Sequence, residues 1–444
     1  MRSIVISLLL GLFAARIAGG GELPSLAMDA RSILGADQGV YVEAADGKVL
    51  LAQAAARPVH PASVSKVPTT LALLRKLGPE YRFVTKFATN GQVVDGALLG
   101  DLLVEGGGDP SLVDEDALLV ADHLLDLGIR RVVGDLRLRG TLTFDWQSDE
   151  DGGRLRRALA GSISPGALAT VRAWELGNPG GSVPSPGALQ PQGIRFDPTP
   201  AGDSTAADGN KAPDAGKAGD AGKAGDAGKA AGPSKATSAS AAGKEWPLVI
   251  HRSQPLLALA KSLNDYSNNI FKPLADEAGG AGSVESLARS VVPQAMRSEI
   301  TLGDGAGTDP RNRLSPRVAV NLLRVLDKEL HATGHALYDI LPVAGIDDGT
   351  LRHRLDGPDE VGRVVGKTGT FGDYGASALV GAISTGDQGT VYFAILNHGV
   401  PVPEARRRQD RFVRSLLAHL QSVPWNYQRD ARPAIARAEV LKAP

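Results

Sequence analysis

Three short groups of residues in this chain carry side chains suited to nucleophilic acyl chemistry. The first is Ser63-x-x-Lys66, within the run Pro61-Ala62-Ser63-Val64-Ser65-Lys66. A serine hydroxyl is inert until a base takes its proton, and an amine three residues on, one helical turn later, lies within its reach. Pro68 follows, where its missing N–H is expected to free the Val64 carbonyl and loosen the helix beside Lys66. The second group is Ser267-x-Asn269, a hydroxyl and an amide that a segment between helices can present to one cavity. The third is Lys367-Thr368-Gly369-Thr370, which offers a fixed ammonium, hydroxyls, and a glycine at which substrate backbone can approach closely.

Each group alone has a plainer reading: an N-cap serine with a solvated lysine, a helix cap, and the edge of a glycine-containing strand. Two competing chemistries are also weighed. Gly362 and Gly366 precede Lys367-Thr368 as in a phosphate loop, but three residues separate them where that motif needs four. The following stretch is β-branched, so no helix N-terminus awaits a phosphate. His60 lies three residues before Ser63 and would be the base of a histidine-dependent serine site. It precedes a proline in a loop and reads as an exposed side chain.

The elements that must position these groups are legible in the periodicity. A helix from Leu23 to Leu34 leads to strands at Gly39 to Glu43 and Val49 to Ala52, joined at Asp46-Gly47. Leu71, Leu73, Leu74 and Leu77 recur at helical spacing, which sets Ser63 at a helix start. A helix from Leu256 to Leu263 precedes Ser267, and strands at Ala376 to Ile383 and Thr390 to Leu396 follow Gly369. Glu404 to Leu420 places Phe412, Val413, Leu416, Leu417 and Leu420 on one face, with Arg406, Arg407, Arg408, Arg411 and Arg414 elsewhere. Attachment to a membrane surface is one use for such a helix; packing on the sheet as a core helix is the expectation here.

At 444 residues the chain accommodates two or three domains without disulfide staples. Forty-eight Lys and Arg against 49 Asp and Glu leave a net charge of −1, which argues against nucleic acid as a partner. The absence of cysteine excludes thiolate catalysis and Cys-ligated metals. Residues 1–20, with Arg2, an apolar run from Ile4 to Ala15, and small residues at Ala18 to Gly20, have the layout of a secretory signal too short to span a membrane. From about 198 to 243 the chain is nearly devoid of large apolar side chains and repeats Asp-Ala-Gly-Lys-Ala-Gly at Asp214, Asp220 and Asp226. Such a composition has nothing to bury and reads as a flexible linker.

The order Ser63-x-x-Lys66, Ser267-x-Asn269, Lys367-Thr368-Gly369 is that of penicillin-recognising acyltransferases. The chain resembles the class C penicillin-binding proteins, the D-alanyl-D-alanine carboxypeptidase/endopeptidase family. Further similar stretches are Leu77-Gly78-Pro79-Glu80-Tyr81-Arg82-Phe83, Gly100-Asp101-Leu102, Gly106-Gly107-Gly108-Asp109-Pro110, and Leu341-Pro342-Val343-Ala344-Gly345 with Asp348-Gly349-Thr350-Leu351. The resemblance implies an α/β fold of the transpeptidase, β-lactamase-like type, with an antiparallel sheet and helices interrupted by an inserted β-rich module. The catalytic domain would comprise 21–88 and 249–424, the insert 89–197, the linker 198–248, and a C-terminal tail 425–444.

It also implies roles. Ser63 would be the nucleophile and Lys66 its base; Ser267 and Lys367 would relay the proton, Asn269 would bind the substrate amide, and Thr368 and Thr370, beside Gly369, would hold a terminal carboxylate. The backbone N–H groups of Ser63 and Thr370 would form the oxyanion hole. No metal or organic cofactor is implied. The implied partners are peptidoglycan peptides, with β-lactams as covalent inhibitors, in a periplasmic protein without a stable membrane anchor. A catalytically silent wall-binding scaffold, and a hydrolase of small esters or β-lactams on the same fold, are the alternatives. One stretch departs from the family: Asp304-Gly305-Ala306-Gly307-Thr308-Asp309-Pro310 places Pro310 where relatives carry an arginine that holds the charged end of the stem peptide. Arg311 is one residue away, and no matching acid is identifiable among Asp145, Asp149, Glu150 and Asp151, so weak discrimination for that end is expected.

Overall fold

The computed structural model describes residues 23–177, 193–197, 244–266, 270–373, 375–386 and 389–443. Residues 1–20, read as a secretory signal, most of 198–248, read as a linker, and both Ser267 and Asn269 lie outside the described residues. Two compact units are present: the described residues within 1–83, 145–147 and 252–438 form one, and those within 84–144, 148–251 and 439–444 the other.

The first unit is built on a five-stranded antiparallel sheet in the order Val364–Phe371, Ala376–Thr385, Gly389–His398, Gly39–Ala44, Val49–Gln53. These strands read as nearly continuous apolar runs because both faces are covered. Successive residues point to opposite faces, so Val40, Val42, Leu379, Ile383, Phe393 and Ile395 meet one core, packed under helices Pro24–Leu34 and Val402–His419. Tyr41, Val380, Ala382, Tyr392 and Ala394 meet the other, against helices Pro316–Ala332 and Lys66–Leu77. The apolar face of the C-terminal helix is therefore filled by the sheet rather than left for a membrane. Among the described residues no helix is long and apolar enough to cross one.

The second unit holds a five-stranded sheet ordered Glu439–Lys442, Trp246–Arg252, Val84–Thr89, Leu102–Gly107, Leu136–Thr141. A four-stranded sheet accompanies it, ordered Arg195–Phe196, Arg131–Val132, Ala97–Leu99, Gln92–Val94. It also carries helices Asp114–Asp126, Gly153–Leu159 and Pro165–Gly177. Its buried His251 sits between Asp109 at 3.5 Å and Asp116 at 3.0 Å. That contact gives the Gly-Gly-Gly-Asp-Pro stretch a structural role as a buried ion-pair anchor.

Several boundaries differ from those read in the sequence. The first crossing between units falls at Val84 rather than after residue 88, because Val84 already pairs in the second unit's sheet. The strand Trp246–Arg252 begins inside the stretch assigned to the linker, where Leu248 and Val249 supply the apolar side chains that the repeat lacks. The stretch 425–444 is not a loose tail: Trp425 and Tyr427 pack on the first unit's core, and Glu439–Lys442 forms an edge strand in the second.

Candidate active site

Ser63 lies in a 3₁₀ turn, Ala62–Ser65, that runs directly into the α-helix Lys66–Leu77. Side chains three apart eclipse in a 3₁₀ turn, so Lys66 stands over Ser63 more directly than in the α-helical start read from sequence. Pro68 is the third residue of the α-helix, which continues past it to Leu77. Lys66 Nζ donates to Ser63 Oγ at 2.7 Å and to the Ala306 carbonyl at 2.6 Å. Ser63 is 9% exposed and Lys66 not at all.

Burial disfavours the charged amine, and the Asp304 carboxylate only partly restores it, so Lys66 is lowered to about 8. A buried lysine with a proton affinity near neutrality, hydrogen-bonded to a serine, is what a general base for that serine requires.

The loop 304–307 is clipped to the helix by two side chains on one face. Lys66 holds Ala306, and Thr69 Oγ1 donates to the Gly305 carbonyl at 2.8 Å. Asp304 organises the loop from within, accepting from Gly307 N at 2.8 Å, Thr308 N at 3.0 Å, Asp309 N at 3.1 Å and Asn312 Nδ2 at 2.8 Å. Burial opposes its charge, but these bonds and the Thr308 hydroxyl outweigh it and hold the carboxyl below its usual range. Asp304 escaped the sequence reading as a site residue, although an Asp followed by Gly and Thr is a recognisable turn former.

The turn before Ser63 is tightly set. Ala62, buried, has φ +50°, a left-handed conformation that costs a non-glycine residue energy and persists only when its surroundings enforce it. His60 supplies part of that enforcement. Its Nδ1 accepts from Ala62 N at 3.1 Å, its Nε2 meets the Asp309 carbonyl at 3.0 Å, and its ring stacks on Phe371 at 3.9 Å. The histidine is thus half-buried rather than exposed, because its ring edge and both nitrogens are engaged. Neither nitrogen is available to Ser63, which disposes of the histidine-base alternative.

Lys367, Thr368, Gly369 and Thr370 lie on Val364–Phe371, the edge strand of the sheet. Val365 bridges to Val343, and Gly366 N donates to the Pro342 carbonyl, which covers the upstream half of that edge. A Cβ on Gly369 would lie 2.7 Å from the Pro61 carbonyl oxygen and 3.1 Å from Ser63 N. The close approach that glycine permits is therefore to the chain's own Ser63 turn, where the sequence reading had substrate. Thr368 is buried and donates to Thr350 Oγ1 at 2.9 Å, while Thr370 is exposed.

Lys367 is fully buried, and its Nζ donates to the Thr368 carbonyl at 3.0 Å. Burial, and then the Lys66 charge, push it well below its usual value, against the pull of Asp265. The fixed ammonium expected on this strand thus meets a fully buried amine whose charge burial opposes. Asp265, two residues before Ser267, is itself raised to about 7, chiefly by burial against the attraction of Lys261.

Arg311 pairs with Asp309 at 2.6 Å, and its side chain is 74% exposed, so it does not take over an inward role from the position at Pro310. Asp149 caps the helix Gly153–Leu159 through Arg154 N and Leu155 N, at 3.0 and 2.9 Å.

The D-Ala-D-Ala carboxypeptidase 3 (S13) family matches residues 21–152 and 230–419. The chain belongs to that family. A D-alanyl-D-alanine carboxypeptidase of Actinomadura sp. (strain R39) is 27% identical over 462 residues, spanning 88% of this chain and 84% of that protein. The penicillin G-acylated predatory endopeptidase of Bdellovibrio bacteriovorus, solved with an immunity protein, shares the fold. Its TM-score is 0.67 at 21% identity, over 92% of this chain and 99% of that one. Penicillin binding protein 4 of Haemophilus influenzae gives a TM-score of 0.56 at 19% identity, over 89% and 99%. These likenesses bear out the family resemblance and the α/β, penicillin-binding transpeptidase type of fold.

Proposed function

We propose that this S13 family member is a serine D-alanyl-D-alanine carboxypeptidase/endopeptidase, acting on peptidoglycan stem peptides through an acyl-enzyme on Ser63. The observation that carries the reading is the 2.7 Å bond between Ser63 Oγ and the buried Lys66 amine, set beside a lysine-bearing edge strand. Lys66 takes the hydroxyl proton as Ser63 Oγ forms a bond to the carbonyl carbon between two D-alanines. The C–N bond then breaks, and the proton reaches the departing amine by way of Lys367 and Ser267. Water cleaves the resulting ester and returns a proton to Ser63. The N–H groups of Ser63 and Thr370 receive the developing oxyanion, and Asn269 the substrate amide. The edge strand from Lys367 onward would receive the substrate backbone by strand addition. Export to the periplasm and covalent binding of β-lactams belong to the same reading.

The test is treatment with fluorescent penicillin followed by peptide mass spectrometry. A stable adduct on Ser63, absent from Ser63→Ala, is expected. Rapid turnover of the drug would instead indicate a β-lactam hydrolase, and no labelling a silent scaffold. With Arg311 turned outward, peptides with a free amino-carboxylate side-chain end should be preferred over blocked analogues by well under about 10³-fold in kcat/KM. A larger preference would show that other residues recognise that end.

A further inference from the structure

The helix Val402–His419 carries several arginines, and most are paired with carboxylates. Arg407 and Arg408 pair with Glu404, and Arg414 pairs with Glu360. Arg406 differs. Among the described residues it makes no ion pair, and its Nη2 donates to Thr370 Oγ1 at 2.8 Å.

Buried packing fixes this contact. Gln409, fully buried, donates from Nε2 to Ser377 Oγ at 3.1 Å and to Asn397 Oδ1 at 2.9 Å, while Asn397 Nδ2 donates to Gln38 at 3.1 Å. Ser377 is the direct cross-strand neighbour of Thr370. Arg406 stands one turn before Gln409 on the same helix face, so the network that seats the helix on the sheet also sets the guanidinium over Thr370. Arg354, whose charge opposes that of Arg406, pairs with Asp410 at 2.5 Å, and Asp410 also attracts Arg406 without an ion-pair contact.

Two consequences follow from elementary chemistry. With one lone pair of Thr370 Oγ1 engaged by Arg406, the hydroxyl hydrogen is directed away from the guanidinium and is free to donate. Arg406 and Thr370 are both exposed, so a ligand at this end of the edge strand meets an O–H donor backed by a cation that has no ion-pair partner among the described residues. A carboxylate is the group that satisfies both, since it accepts the hydroxyl hydrogen and neutralises the guanidinium.

We propose that Arg406 is a specificity-determining residue that recognises the C-terminal carboxylate of the substrate together with Thr370. This rests on the acyl-enzyme reading above and adds to it a residue from the C-terminal helix. Arg406 acts on ligands with a free carboxylate and is indifferent to those without one.

The experiment measures the second-order rate of Ser63 acylation by benzylpenicillin and by its methyl ester, which lacks only the carboxylate charge. Wild type, Arg406→Gln and Arg406→Lys are compared. Wild type is expected to prefer the free acid. Arg406→Gln should shrink that preference roughly 10- to 100-fold, with the ester rate and the melting temperature nearly unchanged. Arg406→Lys should fall between, retaining the charge without the planar fork. Equal loss for acid and ester in Arg406→Gln would mark Arg406 as merely structural, and no loss for the acid would remove it from recognition; either result overturns the proposal. A wild-type protein that neither compound acylates would overturn the parent reading, and this one with it.

Discussion

Replacement of Lys66 by arginine is expected to slow acylation of Ser63 by benzylpenicillin roughly 10²- to 10⁴-fold, the range that a well-placed general base contributes. That loss corresponds to about 2.7 to 5.4 kcal/mol of barrier. Arginine keeps the positive charge but does not deprotonate in proteins, so the Ser63 hydroxyl loses its acceptor. Because the site is fully buried and arginine is the larger side chain, Lys66→Met serves as a second variant that removes the base without adding bulk. The two should lose acylation together while the melting curve of Lys66→Met stays close to wild type.

The wild-type rate should also depend on pH in a defined direction. Only the neutral amine accepts a proton, and Lys66 is lowered to about 8 by burial against the pull of Asp304. Acylation should therefore fall as pH drops through about 8 and level off above it. A rate independent of pH between 6 and 9, or full activity in Lys66→Met, would remove Lys66 from the role of base.

The parts of the site legible in the sequence are those that depend on local spacing. Ser63 and Lys66 are three apart on one turn, and the alternation around Lys367 continues into strands that the structure extends only to Thr385 and His398. Helix periodicity likewise gave the apolar face of the C-terminal helix, and the family resemblance its expected place on the sheet. What stayed hidden depends on contacts between segments distant in the chain. The left-handed φ of Ala62 is enforced by His60, Gly307 and Gly369 together, and no property of an alanine announces it. Asp304 matters because its loop ends at the Ala306 carbonyl that Lys66 holds. Arg406 looked like one of five solvated arginines until the register of Ser377 against Thr370 placed it. That Lys367 is fully buried beside a second amine cannot be inferred from a tripeptide.

The close packing around Ala62 sets up the other large effect. Gly307 has φ +87°, and a Cβ there would lie 2.0 Å from the Ala62 carbonyl oxygen and 2.8 Å from Ser63 N. Gly307→Ala therefore meets two costs. The left-handed backbone costs an L-residue about 1 to 2 kcal/mol, and relieving the overlap requires a backbone shift of the kind that costs about 1 to 3 kcal/mol in overpacked cores. The atoms that must move belong to the turn carrying Ser63, the proposed nucleophile, and a displacement of the order of 1 Å can cost roughly 10²-fold in rate. Gly307→Ala is thus expected to lower both the melting temperature and the acylation rate, the latter by about two orders of magnitude. Gly334 provides the control, since its φ is +80° and nothing lies within 4 Å of a Cβ placed there. Gly334→Ala meets the backbone cost alone, so its melting temperature should fall modestly while acylation stays at the wild-type rate. If Gly307→Ala is acylated as fast as Gly334→Ala, the loop 304–307 does not hold the nucleophile turn in its working position.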